Sequence, residues 1–264
     1  MFSAVGVIPA RFGSSRLPGK PLADLQGKPL LYYVYRRALR STALNRVLIA
    51  TDDSRVYEAA RAFDANVVMT SAKHRSGTDR IAEAVEGVEA SIVVNIQGDE
   101  PFLAVSAIDE TVRLLKEDDQ AQMSTLMACM EDPDDLWNPN VVKIITSEQG
   151  YAVYFSRSPL PYIRIKDDPN LSLSEILEQQ PELLGRFHRH IGIYAYRTGF
   201  LRDFAAWRPS KLELLEDLEQ LRALDHGAKI KVGIADVATT GVDTVADLER
   251  VRSLIKQHPE LLEV

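Results

Sequence analysis

The amino-acid sequence predicts an α/β fold, a doubly wound and mostly parallel sheet that carries a smaller β-rich lobe. Three observations lead there. In the first half, short β-branched runs alternate with stretches of helical apolar spacing, the order that builds a parallel sheet. One of those runs, "SIVVNI" (91–96), is apolar almost throughout, as a strand covered on both faces must be. In the second half the strand-like runs crowd together, as antiparallel pieces do.

In chain order, "AVGVI" (4–8) reads as a strand and "PLLYYVYRRALRS" (29–41) as a helix with Pro29 at its first position. "RVLIAT" (46–51) is a strand, and 53–63 a helix opened by Asp53. "ANVVM" (65–69) is a strand, and 77–88 a helix that Ser76 or Thr78 can cap. After 91–96 come the strand-like runs 123–130, 140–146, 151–157 and 188–197. Between the last two lies a polar, acidic excursion, 165–186, with room for one short helix. Residues 211–227 form one amphipathic helix ending at Gly227, 229–234 a strand, and 244–258 a closing helix with Thr244 as N-cap. No Gly/Ser- or Pro-rich linker divides the chain. It reads as a single domain, 1–264, with the smaller lobe inserted at roughly 124–215.

The totals exclude several classes. With 264 residues, 45% of them hydrophobic, the chain can bury a large core. A formal charge of -7 argues against nucleic-acid binding, which needs a broad basic face. The single cysteine, Cys129, rules out an internal disulfide and fits a reducing compartment; its apolar surroundings suggest a buried structural thiol. No apolar run approaches the ~20 residues of a membrane-spanning helix. The start gives way to Pro9 and Arg11 too early for a signal peptide. A soluble, cytoplasmic protein is expected.

The loop "VIPARFGSSRLPGKPL" (7–22) resembles a phosphate-binding loop with altered spacing. Five residues separate Gly13 from Gly19-Lys20, and Pro21 stands where a P-loop has its hydroxyl. Arg11, Arg16 and Lys20 fall in a stretch without acids, Gly13 and Gly19 permit close backbone approach, and Ser14 and Ser15 supply donors. Pro18 and Pro21 prevent a helix from starting directly after Lys20. Such a loop wraps a polyphosphate with side chains; the plainer reading is a solvated basic loop.

A second constellation is "VVNIQGDEP" (93–101), an apolar strand that delivers Asp99 to the carboxyl edge of the sheet, with Gly98 for the turn. Magnesium favours one or two carboxylates plus phosphate oxygens, and Asp99 is one candidate. An Asp at a strand end also serves as a turn former. Asp243 in "TGVDT" is the candidate partner, although Asp243 or Thr244 could simply cap the next helix. In "HRSGTDR" (74–80), Arg80 occupies a helix's first turn, where a nearby phosphate or carboxylate would offset the unfavourable dipole. In 188–197 the strand period puts His190 and Tyr194 on one face, a wall suited to a polyol; an HxH zinc site lacks further ligands.

With these pieces assembled, the sequence resembles the CMP-Kdo synthetases, the 3-deoxy-manno-octulosonate cytidylyltransferases. The stretches that carry the resemblance are "IPARFGSSRLPGKPL", "HRSGTDR", "VNIQGDEP", "NPNVVKII", "YAVYFSR", "RHIGIYAYR", "LEQLR" and "TGVDT", which span nearly the whole chain in family order. The chain departs from the pattern in 165–186 and after about Arg252. The resemblance implies a nucleotide-diphospho-sugar transferase-like fold whose smaller lobe makes a homodimer. It implies transfer of the cytidylyl group of CTP to the anomeric hydroxyl of 3-deoxy-D-manno-octulosonate (Kdo), giving CMP-Kdo and pyrophosphate for lipopolysaccharide biosynthesis, with Mg2+ as cofactor. The roles it implies begin with Arg11, Ser14 and Lys20 on the triphosphate. Ser76, Arg80 and Gln97 line the nucleotide site, and Asp99 and Asp243 hold the metal. Arg157, Arg164, His190, Tyr194, Glu219 and Gln220 surround the sugar acid. Arg11, Lys20, Asp99 and Asp243 form the catalytic set, with no dedicated protein base. Rival readings are an 8-amino-Kdo or sialate cytidylyltransferase, an enzyme acting on a sugar 1-phosphate, and a non-catalytic nucleotide-sugar sensor.

Overall fold

A computed structural model describes residues 3–13, 17–166, 168, 170–235 and 241–262. The first half alternates as expected: β1 (Ala4–Ala10), a 3₁₀ turn at Lys20–Leu22, the two-residue strands β2 (Asp24–Leu25) and β3 (Lys28–Pro29), α1 (Leu30–Ala38), β4 (Arg46–Thr51), α2 (Ser54–Arg61), β5 (Val67–Met69), α3 (Gly77–Ala84) and β6 (Ile92–Asn95). The second half contains α4 (Val105–Glu117), β7 (Met123–Cys129), α5 (Pro133–Trp137), β8 (Lys143–Thr146), β9 (Ala152–Ser156), α6 (Leu173–Gln179), a 3₁₀ stretch at Pro181–Arg186 and β10 (His188–Arg197). It closes with α7 (Thr198–Ala206), α8 (Lys211–Glu216), α9 (Gln220–Asp225), β11 (Ile230–Ile234), α10 (Val245–Gln257) and a 3₁₀ turn at Pro259–Leu262.

One sheet runs in the order β11-β7-β10-β6-β1-β4-β5, with β8 joined to β10 and β9 to β8. Along that path only β10 is reversed, because it lies antiparallel to both β6 and β7 while the remaining neighbours are parallel. Strand alternation divides the core in two. Ala4, Ile8 and Ala10 of β1 face one layer with buried residues of α1, α4 and α10; Val5 and Val7 face the other with those of α3, α7 and α9. Helices on both faces are the doubly wound arrangement.

Four expectations differ from the structure. The helix expected at 211–227 is broken: Asp217 takes a left-handed conformation (φ 52°) and separates α8 from α9. Cys129 is exposed, because it is the last residue of β7 and lies past the covered part of the strand. α4, α5 and α7 are additional helices; α4 buries Ile108, Val112 and Leu115 at helical spacing against the sheet. Within 124–215, β7 and β10 belong to the main sheet. What stands off it is α5, α6 and the 181–186 turn, around a small core of Met130, Leu136, Leu173, Leu184 and Phe187.

Among the described residues, no helix is long and apolar enough to cross a membrane.

Candidate active site

β1 and β6 pair in register, Ala4–Val7 against Ile92–Asn95, so the loops that follow them leave the same edge of the sheet. Between these loops and the amino end of α3 opens a cleft of about 300 Å³, lined among others by Arg11, Lys20, Ser76, Gln97 and Asp99. Gly98 is a close-approach residue: a Cβ there would lie 2.9 Å from the Pro9 carbonyl oxygen, so only glycine lets the two loops meet. Gly19 adopts φ 73° with the Phe12 ring beneath it and turns the chain into the 3₁₀ turn that starts at Lys20. Ser14 lies outside the described residues.

The Lys20 ammonium joins two acids that are far apart in sequence. Nζ donates to Asp99 Oδ2 at 2.6 Å and to Asp243 Oδ1 at 3.0 Å. Burial alone would lower its pKa, but the two carboxylates outweigh that and raise it, so Lys20 stays charged. The Val242 amide donates to the Asp99 carbonyl at 2.9 Å and seats the 241–243 segment on the 97–100 loop. The N-cap of α10 is Thr244, in a reciprocal capping box with Asp247, while the Asp243 side chain meets Lys20. Among the described residues no three His, Cys, Asp or Glu side chains gather as a metal cage. Two carboxylates already sharing a cation fit a divalent ion that draws its other ligands from substrate oxygens.

Arg11 donates through Nη1 to the Arg75 carbonyl, 3.1 Å away, and its Nη2 is buried with no hydrogen-bond partner among the described residues. Burial and the neighbouring Arg80 lower its pKa, as expected of a cation held ready for an anion. Ser76 caps α3 in a capping box with Asp79, and its own residue lines the cleft. The amino end of α3, at Ser76 and Gly77, therefore lines the cleft, as expected of a helix cap that also meets a nucleotide. Arg80 is wholly buried and bonds Asp52 Oδ2 at 2.8 Å; a carboxylate, not a phosphate, answers its first-turn charge. Gln97 donates through Nε2 to the Gly192 carbonyl and ties the 97–100 loop to β10.

On the far side of that loop lies a second cleft of about 280 Å³, between Glu100, residues 140–142 and residues 189–192. His190 is bonded to Thr125 Oγ1 at 2.8 Å, and its ring lies 5.1 Å from Phe155 and 5.3 Å from Tyr194. Burial holds the imidazole down to a pKa of about 3, so it is neutral near pH 7 and is a hydrogen-bonding group, not a general base. Burial pushes the Tyr194 phenol up, well above its usual range. Arg189 lines the cleft together with His190, although simple alternation assigns the two to opposite faces; a register shift between Ile191 and Tyr194 then interrupts β10.

Glu219 lies at the α8–α9 break, largely buried, and accepts from Thr78 Oγ1 at 2.6 Å. Burial raises its pKa, against the lowering effect of Thr78, Ser76 and Arg222. It lines a third cavity, about 490 Å³, which shares Arg75 and Ser76 with the first cleft. Gln220 is buried at the start of α9 and lines neither cleft. Arg164 is exposed in an irregular stretch. The Arg157 guanidinium is occupied by three main-chain carbonyls, those of Pro139, Glu216 and Asp217.

Comparisons with known proteins agree with this geometry. The family described as cytidylyltransferase matches residues 5–230. The chain is 48% identical over 252 residues to the 3-deoxy-manno-octulosonate cytidylyltransferase of Idiomarina loihiensis, covering 94% of this chain and 96% of that one. It is 47% identical to the Haemophilus influenzae (strain 86-028NP) protein of the same name, covering 94% and 97%. Among solved structures, CMP:2-keto-3-deoxy-manno-octonic acid synthetase complexed with CTP superposes with a TM-score of 0.85 at 40% identity, over 97% of this chain and 99% of that chain.

Proposed function

The chain belongs to the cytidylyltransferase family, and on that premise we propose that it transfers the cytidylyl group of CTP to the anomeric hydroxyl of Kdo, releasing pyrophosphate. The observation that carries the reading is the Lys20 ammonium held between Asp99 and Asp243 in the cleft that Arg11 lines. CTP occupies this cleft, with its phosphates against Arg11, Lys20 and the amino end of α3. Kdo occupies the second cleft, across the 97–100 loop, against His190 and Tyr194. The hydroxyl oxygen attacks the α-phosphorus, the bond to the bridging oxygen of pyrophosphate breaks, and the hydroxyl proton passes to solvent. Arg11 and Lys20 neutralise the charge that accumulates on the departing pyrophosphate. Asp99 and Asp243 would hold a magnesium ion, which would supply Lewis acidity toward phosphate and hydroxyl oxygens. His190, neutral and already bonded to Thr125, is not poised to remove the proton. Dimerisation is assigned to the 124–215 region, and the setting to the cytoplasm.

Pyrophosphate release tests the reading. The purified protein is offered each nucleoside triphosphate with Kdo, 8-amino-Kdo, a sialate or a sugar 1-phosphate. Release with CTP and Kdo, cut on the order of 100-fold or more in turnover by Lys20→Ala, is expected. Wild-type silence toward CTP and Kdo, or full turnover in the alanine variant, refutes it.

A further inference from the structure

One wall of the second cleft is a stretch without regular structure, residues 138–142, between α5 and β8. A segment with so little ladder bonding must be held by other groups if it is to present a fixed surface. Two cations hold it. Lys143 has no exposed surface and donates through Nζ to the carbonyls of Asn138 at 3.0 Å and Val141 at 2.7 Å. Arg157 donates through Nη1 to the Pro139 carbonyl at 2.8 Å.

The rest of the Arg157 guanidinium points elsewhere. Nε donates to the Glu216 carbonyl at 2.6 Å and Nη2 to the Asp217 carbonyl at 3.1 Å. The Glu216 carboxylate closes the arrangement, accepting the Arg157 amide at 2.9 Å and the Ser156 hydroxyl at 2.7 Å. Glu216 and Asp217 end α8, directly before the break that presents Glu219 to Thr78. One planar fork therefore spans the gap between the 138–142 wall and the α8–α9 break. Lysine, a point donor on a flexible stem, cannot reproduce it.

We propose that Arg157 is a positioning residue for the sugar acid: it fixes the spacing between the 138–142 wall and the α8–α9 break, and acts on the acceptor through them without binding it. The proposal rests on the reading that the second cleft takes Kdo.

The test uses the full chain with Arg157→Lys, Glu216→Ala and the double variant. Steady-state kinetics vary CTP and Kdo separately. Each single variant is expected to raise KM for Kdo on the order of tenfold or more, as misplacement of a binding wall does, with KM for CTP within about twofold. The double variant should be little worse than either, because the Glu216 carboxylate and the Arg157 guanidinium tie the same two stretches together. If Glu216→Ala does not fold, Glu216→Gln replaces it. Hydrogen exchange read by mass spectrometry supplies a second measure that needs no substrate. Arg157→Lys should speed exchange in both 138–142 and 216–219. A normal KM for Kdo in the Glu216 variant beside a raised one in Arg157→Lys means direct contact with the sugar acid and overturns the proposal. So does unchanged exchange in either stretch. Wild-type failure to use Kdo at all removes the proposed function instead, and the exchange result still decides the role of Arg157.

Discussion

At the scale of single residues, charge state follows from what surrounds each group, and the site uses contrasting cases. Lys20 remains cationic because two carboxylates outweigh its burial. His190 stays neutral because burial against Phe155 and Tyr194 disfavours the charged ring. This has a consequence for stability. The unfolded chain takes up a proton at His190 as the pH falls below the usual 6.5, whereas the folded chain refuses it until about 3. Proton uptake then favours unfolding, so this group costs stability as the pH drops through that window. Urea midpoints measured from about pH 7 to about pH 4 should fall faster for the wild type than for His190→Phe; parallel curves would show that the ring is not held neutral. The acids and bases of the cleft were legible as residue types in particular loops. Their pairings were not: "TGVDT" offers Thr244 as the cap of the closing helix, but nothing in it says that Asp243 faces Lys20. Arg80 was legible as a cation in need of an anion, but its partner, Asp52, lies 28 positions away.

At the scale of elements, the strands and the capped helices α2, α3 and α10 were readable, because alternation and the caps Asp53, Ser76 and Thr244 are local signals. The break between α8 and α9 was not. The 211–227 stretch keeps helical apolar spacing throughout, and the residue that breaks it is an aspartate rather than a glycine. Asp217 can take the left-handed conformation, though at a cost that only Gly avoids. Its side chain is fully exposed, so backbone strain dominates any substitution there. Asp217→Val should lower the unfolding free energy by about 1–2 kcal/mol, while Asp217→Gly should stay within a few tenths, as judged by urea denaturation. Equal stability of the two variants would mean that the left-handed turn is not what separates the helices. The bulge in β10 escaped the sequence for a related reason. Period-two alternation is the only strand signal available, and a register shift between Ile191 and Tyr194 leaves residue types unchanged.

At the scale of the whole molecule, the fold gathers the site from segments far apart along the chain. Parallel pairing of β1 with β6 brings Arg11, Lys20 and the 97–100 loop to one edge. The segment before α10 then returns so that the Val242 amide meets the Asp99 carbonyl. Reversal of β10 alone puts its amino end, with His190, at the edge where its neighbours end. The general class of this arrangement was readable from the β-α alternation. The insertion of β7 and β10 into the main sheet was not, because closely spaced strands suit a separate antiparallel lobe equally well. The convergence of Asp99 and Asp243 upon one cation is what the account depends on. Its most direct test is a magnesium titration of cytidylyl transfer in Asp99→Asn, Asp243→Asn and the double variant. Both single variants should need on the order of tenfold more magnesium, and the double should be far less than additive, as expected of two ligands to one ion. A wild-type titration curve in either single variant would contradict the account.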